Sequence, residues 1–175
     1  MDEIIIVEYD PRWSQQFEEE ATTIWQVLGE LVTQIEHFGS TAVPGLAAKP
    51  ILDLLVGVHS LEEAKRHVSL LEALKYVYWQ EDPHRDERMF LVKGMPPYGL
   101  QRTHHLHIVQ ADSTLWERVL FRDYLRSHPE EVQYYTALKR QLAERFKTDR
   151  EAYTNAKTDY IQAIMAKARH HNNKN

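Results

Sequence analysis

The chain has 175 residues, which predicts one compact domain, and it carries 21 Lys and Arg against 26 Asp and Glu, a formal net charge of -5. Because the net charge is negative, broad electrostatic binding to nucleic-acid phosphates is not expected. The absence of cysteine excludes disulfide frameworks and thiolate metal sites. No apolar run approaches the roughly 20 residues that span a bilayer. Because Met1-Asp2-Glu3 is not the basic start of a signal peptide, we expect a cytoplasmic protein with no membrane partner.

The N-terminal third predicts short strands and one long helix. A β-branched run at 4–7 favours a strand, and apolar residues recur every three or four positions from Trp13 to Leu31, the spacing of an amphipathic helix. Glycines and prolines at 39–50 indicate a structured loop, and the run at 51–58 is typical of a central strand covered on both faces. The predicted elements are a strand at 4–7, a helix at 13–31, a strand at 32–38, the loop at 39–50 and a strand at 51–58.

The rest of the sequence predicts three more strands and then a helical segment. Ser60 and Glu63 form a capping box, in which the hydroxyl and the carboxylate satisfy free amides of a first helical turn. Further elements are a helix at 61–75, a strand at 76–79, a loop at 80–88, a strand at 89–93, a turn at 94–99, a strand at 103–109, a helix after Ser113, another between Pro129 and Phe146, and a third at about 150–168. We predict an α+β fold, with a mixed β-sheet and a helical C-terminal segment, as a single domain at 1–168 with a flexible tail at 169–175.

Asp53 is the one charge in the apolar strand at 51–58. A carboxylate in such a strand costs several kcal/mol to desolvate unless it is paired, hydrogen-bonded or bound to a metal. One interpretation is a structural acid that accepts backbone amides of the preceding loop, and the other is a catalytic or metal-binding acid. Both interpretations predict a partner for this carboxylate.

Three histidines fall within four positions of the last predicted strand, at His104, His105 and His107. Because strand side chains alternate, His105 and His107 point to one face and His104 to the other. Two imidazoles so placed can share a metal or contact a phosphate, although they can also be ordinary hydrogen-bonded residues near a sheet edge. Asp53, His105 and His107 are therefore the candidate catalytic and metal-binding residues.

A small-residue turn and scattered basic residues are candidates for binding phosphate. In Gly39-Ser40-Thr41 the glycine permits close backbone approach and the serine offers its hydroxyl and amide to a phosphate oxygen, although an ordinary turn is the alternative. No Walker A loop, dinucleotide fingerprint or hydrolase elbow occurs. Positive charge for a phosphate could come from basic side chains, unless these are simply solvated. The candidates are Lys49, Arg122, Lys139 and Lys157.

Three segments together closely resemble the signature of the GrpB family. The longest runs from His37 to Asp53, the second from Thr103 to His107, and the third from Phe121 to Arg126 with His128-Pro129 following. The likeness extends over nearly the whole chain, and the long central segment is specific.

The resemblance implies a nucleotidyltransferase-like fold, in which a Gly-Ser turn precedes a strand whose carboxylates hold a divalent metal for nucleotide transfer. It also points toward nucleotide or coenzyme A chemistry, since GrpB-like domains occur fused to dephospho-CoA kinases. The sequence departs from active transferases at Leu55, where those enzymes carry a second acid. We expect one divalent metal, Mg²⁺, Mn²⁺ or Zn²⁺. Imidazole ligands suit Zn²⁺ or Mn²⁺ better than Mg²⁺.

Two functions of different classes stay open. In the first, a metal-dependent nucleotidyl or phosphoryl transferase acts on a nucleotide-like small molecule, with Ser40 and Lys49 holding phosphate and the Asp53 group holding the metal. In the second, a binding module that lost the second acid takes a nucleotide- or coenzyme A-related ligand without turnover. A third possibility is a structural partner domain with no small ligand. In the first two the partner is a small molecule and nucleic acid is not expected.

Overall fold

A five-stranded mixed β-sheet organises the fold, as seen in a computed structural model that describes residues 3–173. In space the strands follow the order β1-β2-β5-β4-β3, with β2 and β5 parallel and the other three pairs antiparallel. The α+β class with a mixed sheet and a helical C-terminal segment is thus confirmed. The strands are β1 Val32–His37, β2 Leu52–Val58, β3 Tyr76–Tyr78, β4 Arg88–Lys93 and β5 His104–Gln110.

Seven helices cover the two faces of this sheet within the described residues. Helix α1 packs Trp13, Phe17, Ile24 and Leu28 into the main core with the strands, as its three- and four-residue spacing predicts. The segment after β5 supplies the helices that gather on the other face. The helices are α1 Arg12–Leu28, α2 Leu61–Lys65, α3 Val68–Ala73, α4 Arg118–Arg126, α5 Pro129–Arg145, α6 Arg150–Ala156 and α7 Thr158–Asn172. Within residues 3–173 no helix is both long and apolar enough to cross a bilayer.

The pairing of β2 with β5 decides which polar side chains meet. In this parallel pair Asp53 lies beside His105 and Leu55 beside His107. Side chains alternate along both strands, so these four share one face, while Leu54 and its neighbour Leu106 face the core under α1. The predicted division of the histidines between the two faces is confirmed.

The predicted strand at 4–7 is wrong. Val7 forms only an isolated antiparallel bridge with Ala48, and the Ile4 amide donates to the Lys147 carbonyl oxygen. The β-branched side chains are present, but these hydrogen bonds go to a loop and to the end of α5 rather than to a neighbouring strand. Strand propensity depends on a partner strand, and this segment has none beyond that one bridge.

Two helices predicted as continuous are broken. The pattern at 61–75 becomes α2 and α3, and the pattern at 150–168 becomes α6 and α7. At the breaks the Arg66 amide donates to Glu63 and the Lys157 amide to Thr154, both three residues back, which is the tighter hydrogen bond of a helix end. Helix α7 also continues through Asn172, into the segment predicted as a tail. Residues 174 and 175 of that tail lie outside the described residues, and the domain bounds stay a prediction.

Candidate functional site

A cleft of about 620 Å³ lies between the sheet and the C-terminal helices. It is lined by the loop between β1 and β2, by β2 and β5, and by side chains from α4 to α7. Eight of the ten residues that we singled out from the sequence line it. They are Gly39, Ser40, Lys49, Asp53, His105, His107, Lys139 and Lys157.

Asp53 and His105 form a hydrogen-bonded pair at the floor of the cleft. Asp53 Oδ1 lies 3.0 Å from His105 Nδ1, because the β2–β5 register sets the two residues side by side. Burial by itself would raise the pKa of Asp53, but the hydrogen bond from His105 and the neighbouring imidazoles outweigh it and lower that pKa. The carboxylate is therefore ionised at neutral pH, and His105 Nδ1 donates to it.

Gly39 is needed because it lies directly against Asp53. A Cβ added at Gly39 would fall 2.0 Å from Asp53 Oδ2 and 2.6 Å from its Cγ. The Gly39 backbone has φ of -75° and is open to any residue, so the requirement is steric. The Phe38 amide donates to the Asp53 carbonyl oxygen at 3.2 Å, which fixes the turn to the strand.

His107 is enclosed by aromatic rings and contacted by an arginine. Its ring lies 5.2 Å from Phe38 and 4.8 Å from Phe90, measured between centroids. Arg88 Nη1 donates to His107 Nδ1 at 3.2 Å. Burial lowers the pKa of His107 to about 3, with Arg88 acting in the same direction, so this imidazole is neutral near pH 7.

Three lysines lie over two tyrosine rings, Tyr153 and Tyr135, on the helical side of the cleft. Lys157 Nζ lies 4.3 Å and Lys49 Nζ 5.0 Å from the centroid of the Tyr153 ring. Lys139 is only 2% exposed, and its Nζ lies 4.7 Å from the centroid of Tyr135. Within the described residues none of the three lysines forms a salt bridge, and Lys139 Nζ and the Tyr153 hydroxyl have no hydrogen-bond partner. The cleft therefore holds buried donors that are not satisfied by protein groups.

Burial and mutual repulsion lower the pKa values of these three lysines. Burial lowers the pKa of Lys49 to about 8, and the nearby Lys157 adds to the effect. Burial also lowers the pKa of Lys157 to about 8. The pKa of Lys139 lies well below its ordinary value because that amine is buried deepest and has both lysines as neighbours. An anion placed among them would relieve both effects.

Two of the predicted ligand-binding residues, Thr41 and Arg122, lie outside the cleft. The Thr41 hydroxyl donates to the Ile51 carbonyl oxygen at 3.1 Å and lies 2.8 Å from His37 Nε2, so it fastens the loop. Arg122 donates to Glu36 Oε2 at 2.5 Å and to the His37 carbonyl oxygen at 2.9 Å, which ties α4 to β1. Neither side chain lines the cleft, because each is used in a buried structural contact.

Comparison with known proteins agrees with the motifs that form this cleft. The family model described as GrpB protein matches residues 3–167. The chain belongs to the GrpB family. Glutamate-rich protein GrpB of Alkalihalophilus pseudofirmus is 36% identical over 166 residues, covering 93% of this chain and 94% of that protein. A UPF0157 protein of Pseudomonas aeruginosa is 46% identical over 170 residues, covering 95% of this chain and 68% of the relative.

A solved structure and a larger relative extend the comparison. The crystal structure of conserved protein GrpB from Enterococcus faecalis matches with a TM-score of 0.86 at 39% identity, over 94% of this chain and 96% of that one. A dephospho-CoA kinase of Mycolicibacterium paratuberculosis is 26% identical over 185 residues, covering 93% of this chain but only 45% of the kinase. The GrpB domain thus also occurs as part of a longer protein.

Three residues of this GrpB-family site were missed as candidates from the sequence. Tyr153 fell in a segment that resembles the family, but nothing in its spacing indicated that lysines would surround it. Arg118, the first residue of α4, also lines the cleft. Basic side chains on helices are usually solvated, so its position in the sequence did not indicate a site. Arg88 follows a charged loop, and its contact with His107 arises only from the β4–β5 pairing.

Asp53, His105 and His107 form a group that could hold a metal. One ligand atom from each lies within 4.8 Å of the others, and one carboxylate oxygen with two imidazole nitrogens suits Zn²⁺ or Mn²⁺. His105 Nε2 is buried with no hydrogen-bond partner, which is compatible with such an ion. The lysines on the opposite wall work against a cation, because a positive ion in the cleft would be repelled by them.

The far part of the cleft is apolar. Phe38 and Leu115 lie on the strand side, and Phe121, Ile161 and Met165 come from α4 and α7. One cleft therefore combines a cluster of buried and half-buried amines with a surface suited to a flat or aliphatic group.

Proposed function

We propose that this GrpB-family protein binds a phosphate-bearing, nucleotide-like small molecule in the cleft. The observation that carries the proposal is the buried amine of Lys139 beside the half-buried amines of Lys49 and Lys157, none of which forms a salt bridge within the described residues. Buried charges in proteins are nearly always paired, so an unpaired group of this size is what an anion site requires. A phosphate group supplies several acceptor oxygens and up to two negative charges.

The turn at Gly39-Ser40 supports the same assignment. Ser40 lines the cleft at the start of a short 3₁₀ turn, Ser40–Ala42, and Gly39 brings that backbone close to Asp53. The Ser40 side chain hydrogen-bonds Tyr135, over whose ring Lys139 Nζ lies, so the serine hydroxyl could meet the same phosphate as that lysine. The apolar surface near Phe121 and Met165 would then cover a nucleobase or a pantetheine-like chain.

A second candidate is a metal-dependent nucleotidyl or phosphoryl transferase that uses the same cleft. It is favoured by the Asp53, His105 and His107 group, whose ligand atoms lie within 4.8 Å of one another. A bound divalent ion would supply charge stabilisation to a transferring phosphoryl group. The second acid of active transferases is replaced by Leu55, which is buried against Phe38 and Val109 and offers no ligand. Binding is therefore the function that the geometry supports best.

A thermal-shift panel separates the two candidates. The probes are inorganic pyrophosphate, ADP, ATP, coenzyme A and dephospho-coenzyme A, the last two because of the dephospho-CoA kinase relative. Each is measured with a chelator and with Mg²⁺, Mn²⁺ or Zn²⁺. A binding module predicts a rise in Tm that survives the chelator, since a ligand that binds only the native state stabilises it by mass action. A transferase predicts that the metal is needed and that phosphorus NMR detects product.

Matched variants locate the site. Lys139→Met should abolish the ligand-induced rise in Tm, whereas Lys147→Met, an exposed lysine in the turn after α5, should leave it unchanged. Asp53→Asn tests the metal group, because it removes the charge while keeping the shape of the side chain. Saturable binding that is equally strong in Lys139→Met would contradict the proposed anion site.

A further inference from the structure

The two cleft histidines use the same ring nitrogen to contact opposite kinds of partner. His105 Nδ1 lies 3.0 Å from Asp53 Oδ1, whereas His107 Nδ1 lies 3.2 Å from Arg88 Nη1. An ionised carboxylate can only accept a hydrogen bond, and a guanidinium can only donate one. A neutral imidazole carries its proton on one nitrogen and a lone pair on the other. In their neutral forms His105 therefore has the proton on Nδ1, and His107 has it on Nε2.

A buried aspartate holds Arg88 in place for this contact. Asp82 is 4% exposed, and its two oxygens accept from Arg88 Nε at 2.7 Å and from Arg88 Nη2 at 3.2 Å. The same carboxylate accepts from the His84 amide at 3.2 Å, which anchors the loop before β4. The guanidinium also lies over the ring of Phe90, with Arg88 Cζ 5.2 Å from the centroid. With Nε and Nη2 held along one edge of the guanidinium, the third nitrogen, Nη1, contacts His107.

We propose that Asp53 and Arg88 impose opposite tautomers on the two histidines, so that His105 offers a lone pair and His107 offers an N–H to the ligand. His105 Nε2, which is buried without a hydrogen-bond partner, accepts from a ligand hydroxyl. His107 Nε2–H donates to a phosphate oxygen. Arg88 and Asp82 are positioning residues, which act on the ligand only through His107. The ligand chemistry rests on the proposed function, whereas the tautomers themselves do not.

This assignment changes the group that could hold a metal. The Nδ1 lone pair of His107 is used by Arg88, and its Nε2 carries a proton, so His107 has no free lone pair for an ion. Only Asp53 and His105 of the three then remain as ligands. The pair of histidines is better described as one acceptor and one donor, matched to a molecule that carries both a hydroxyl and a phosphate.

Nitrogen NMR of the full chain tests the tautomers without any ligand. Long-range proton–nitrogen correlation spectra of ¹⁵N-labelled protein distinguish the protonated from the unprotonated ring nitrogen. The two residues are assigned by the signals that disappear in His105→Gln and in His107→Gln. We expect an Nδ1–H pattern for His105 and an Nε2–H pattern for His107. The same tautomer at both positions would overturn the proposal.

Substitution of Arg88 tests the positioning role. Arg88→Met removes the obligate donor, so His107 should lose its fixed Nε2–H pattern while His105 keeps its own. Arg88→Lys retains the charge toward Asp82 and one donor, and it provides a folded comparison. If Arg88→Met does not fold, the wild-type spectrum still tests the two tautomers, and the Arg88→Lys spectrum still tests whether the side chain at position 88 affects the His107 pattern. An unchanged His107 pattern in a folded Arg88→Met variant would show that Arg88 does not set it.

Ligand binding then tests the donor role with ADP as the probe. His107→Gln keeps a side-chain N–H donor and should bind ADP within about threefold of wild type, whereas His107→Leu should bind about tenfold more weakly. Equal loss in both variants would contradict the donor role. Zn²⁺ binding that is lost in His107→Gln would also overturn the assignment, since it would make His107 a ligand. If neither ADP nor any other probe of the thermal-shift panel binds wild type, the proposed function fails, while the NMR result still decides the tautomers.

Discussion

Each face of the sheet carries a polar cluster beside a cleft of similar size, and the two clusters differ in how well their groups are satisfied. On the α1 face, in a cleft of about 640 Å³, Glu20 accepts from Lys93 Nζ at 2.8 Å and from the Tyr76 hydroxyl at 2.8 Å. On the other face, Lys139 Nζ and the Tyr153 hydroxyl have no hydrogen-bond partner among residues 3–173. The first cluster is complete without a ligand, and the second is not.

This difference separates a structural network from the proposed binding site. A buried charge with all its partners holds the fold together, whereas a buried charge without partners weakens the free protein. Such a group is retained when something outside the chain completes it. The contrast therefore predicts opposite responses to substitution on the two faces.

The largest effect is expected from Gly39→Ala, which fills the space that separates the turn from Asp53. A Cβ there would lie 2.0 Å from Asp53 Oδ2, so we expect a loss of about 3 kcal/mol in the free energy of unfolding together with loss of nucleotide binding. Urea denaturation measures the loss. Because the two closest clashing atoms, Asp53 Oδ2 and Cγ, belong to the carboxyl group, Gly39→Ala combined with Asp53→Ala should lose less than the sum of the two single changes. Strict additivity would show that the clash is not the cause.

Glu20→Gln should destabilise the protein by about 2 kcal/mol, because it leaves Lys93 without its anionic partner. Ligand binding in the other cleft should be unaffected, since the side chain of Glu20 lies on the opposite face of the sheet. Chemical denaturation and the ADP-induced rise in Tm are the two measurements. Glu18→Gln, an exposed acid on the same helix, is the matched control and should change neither. A loss of ADP binding in Glu20→Gln would remove the distinction between the two faces.

Lys139→Met should have the opposite sign. It replaces a buried amine that lacks a hydrogen-bond partner with an apolar side chain of similar length, so the free protein should gain about 1 kcal/mol. The same variant should no longer be stabilised by ADP. Lys147→Met serves as the control for removal of an exposed positive charge. Destabilisation of the free protein by Lys139→Met would show that the amine is structurally satisfied.

The last prediction is a dependence of ligand affinity on pH. Lys49 and Lys157 have pKa values of about 8, so their charges are present below pH 8 and are lost as the pH rises through it. The phosphates of ADP are already ionised there, and affinity should fall by up to about tenfold per pH unit for each lysine that must be protonated. Calorimetric titrations between pH 7 and 9.5 measure this. Replacing both lysines with arginine, which keeps its charge, should flatten the profile.

Much of the candidate site follows from local patterns. Asp53 is conspicuous as one charge in a strand that is otherwise apolar, and the period of two along β5 correctly assigned His105 and His107 to one face. The α1 face was predictable for the same reason, since its apolar residues recur at helical spacing. Other predictions failed where the outcome depended on a contact partner that is distant in the sequence. The run at 4–7 has strand propensity but no neighbouring strand beyond one bridge, and Thr41 and Arg122 are used in buried contacts that spacing does not reveal.

The sequence alone determined the fold class and the family resemblance and singled out Asp53 and the two histidines that share a face, because each depends on residue types at short and regular spacing. The β2–β5 pairing brought the acid and the histidines together. The tertiary structure decided which basic residues meet. Lys49 lies 90 residues before Lys139, and Lys157 follows the next helix, so the three converge only when α5 and α6 pack beside the loop before β2. It also decided the partner of His107, since Arg88 reaches that ring across paired strands. Burial and pairing are properties of packed elements, and a local pattern cannot specify them.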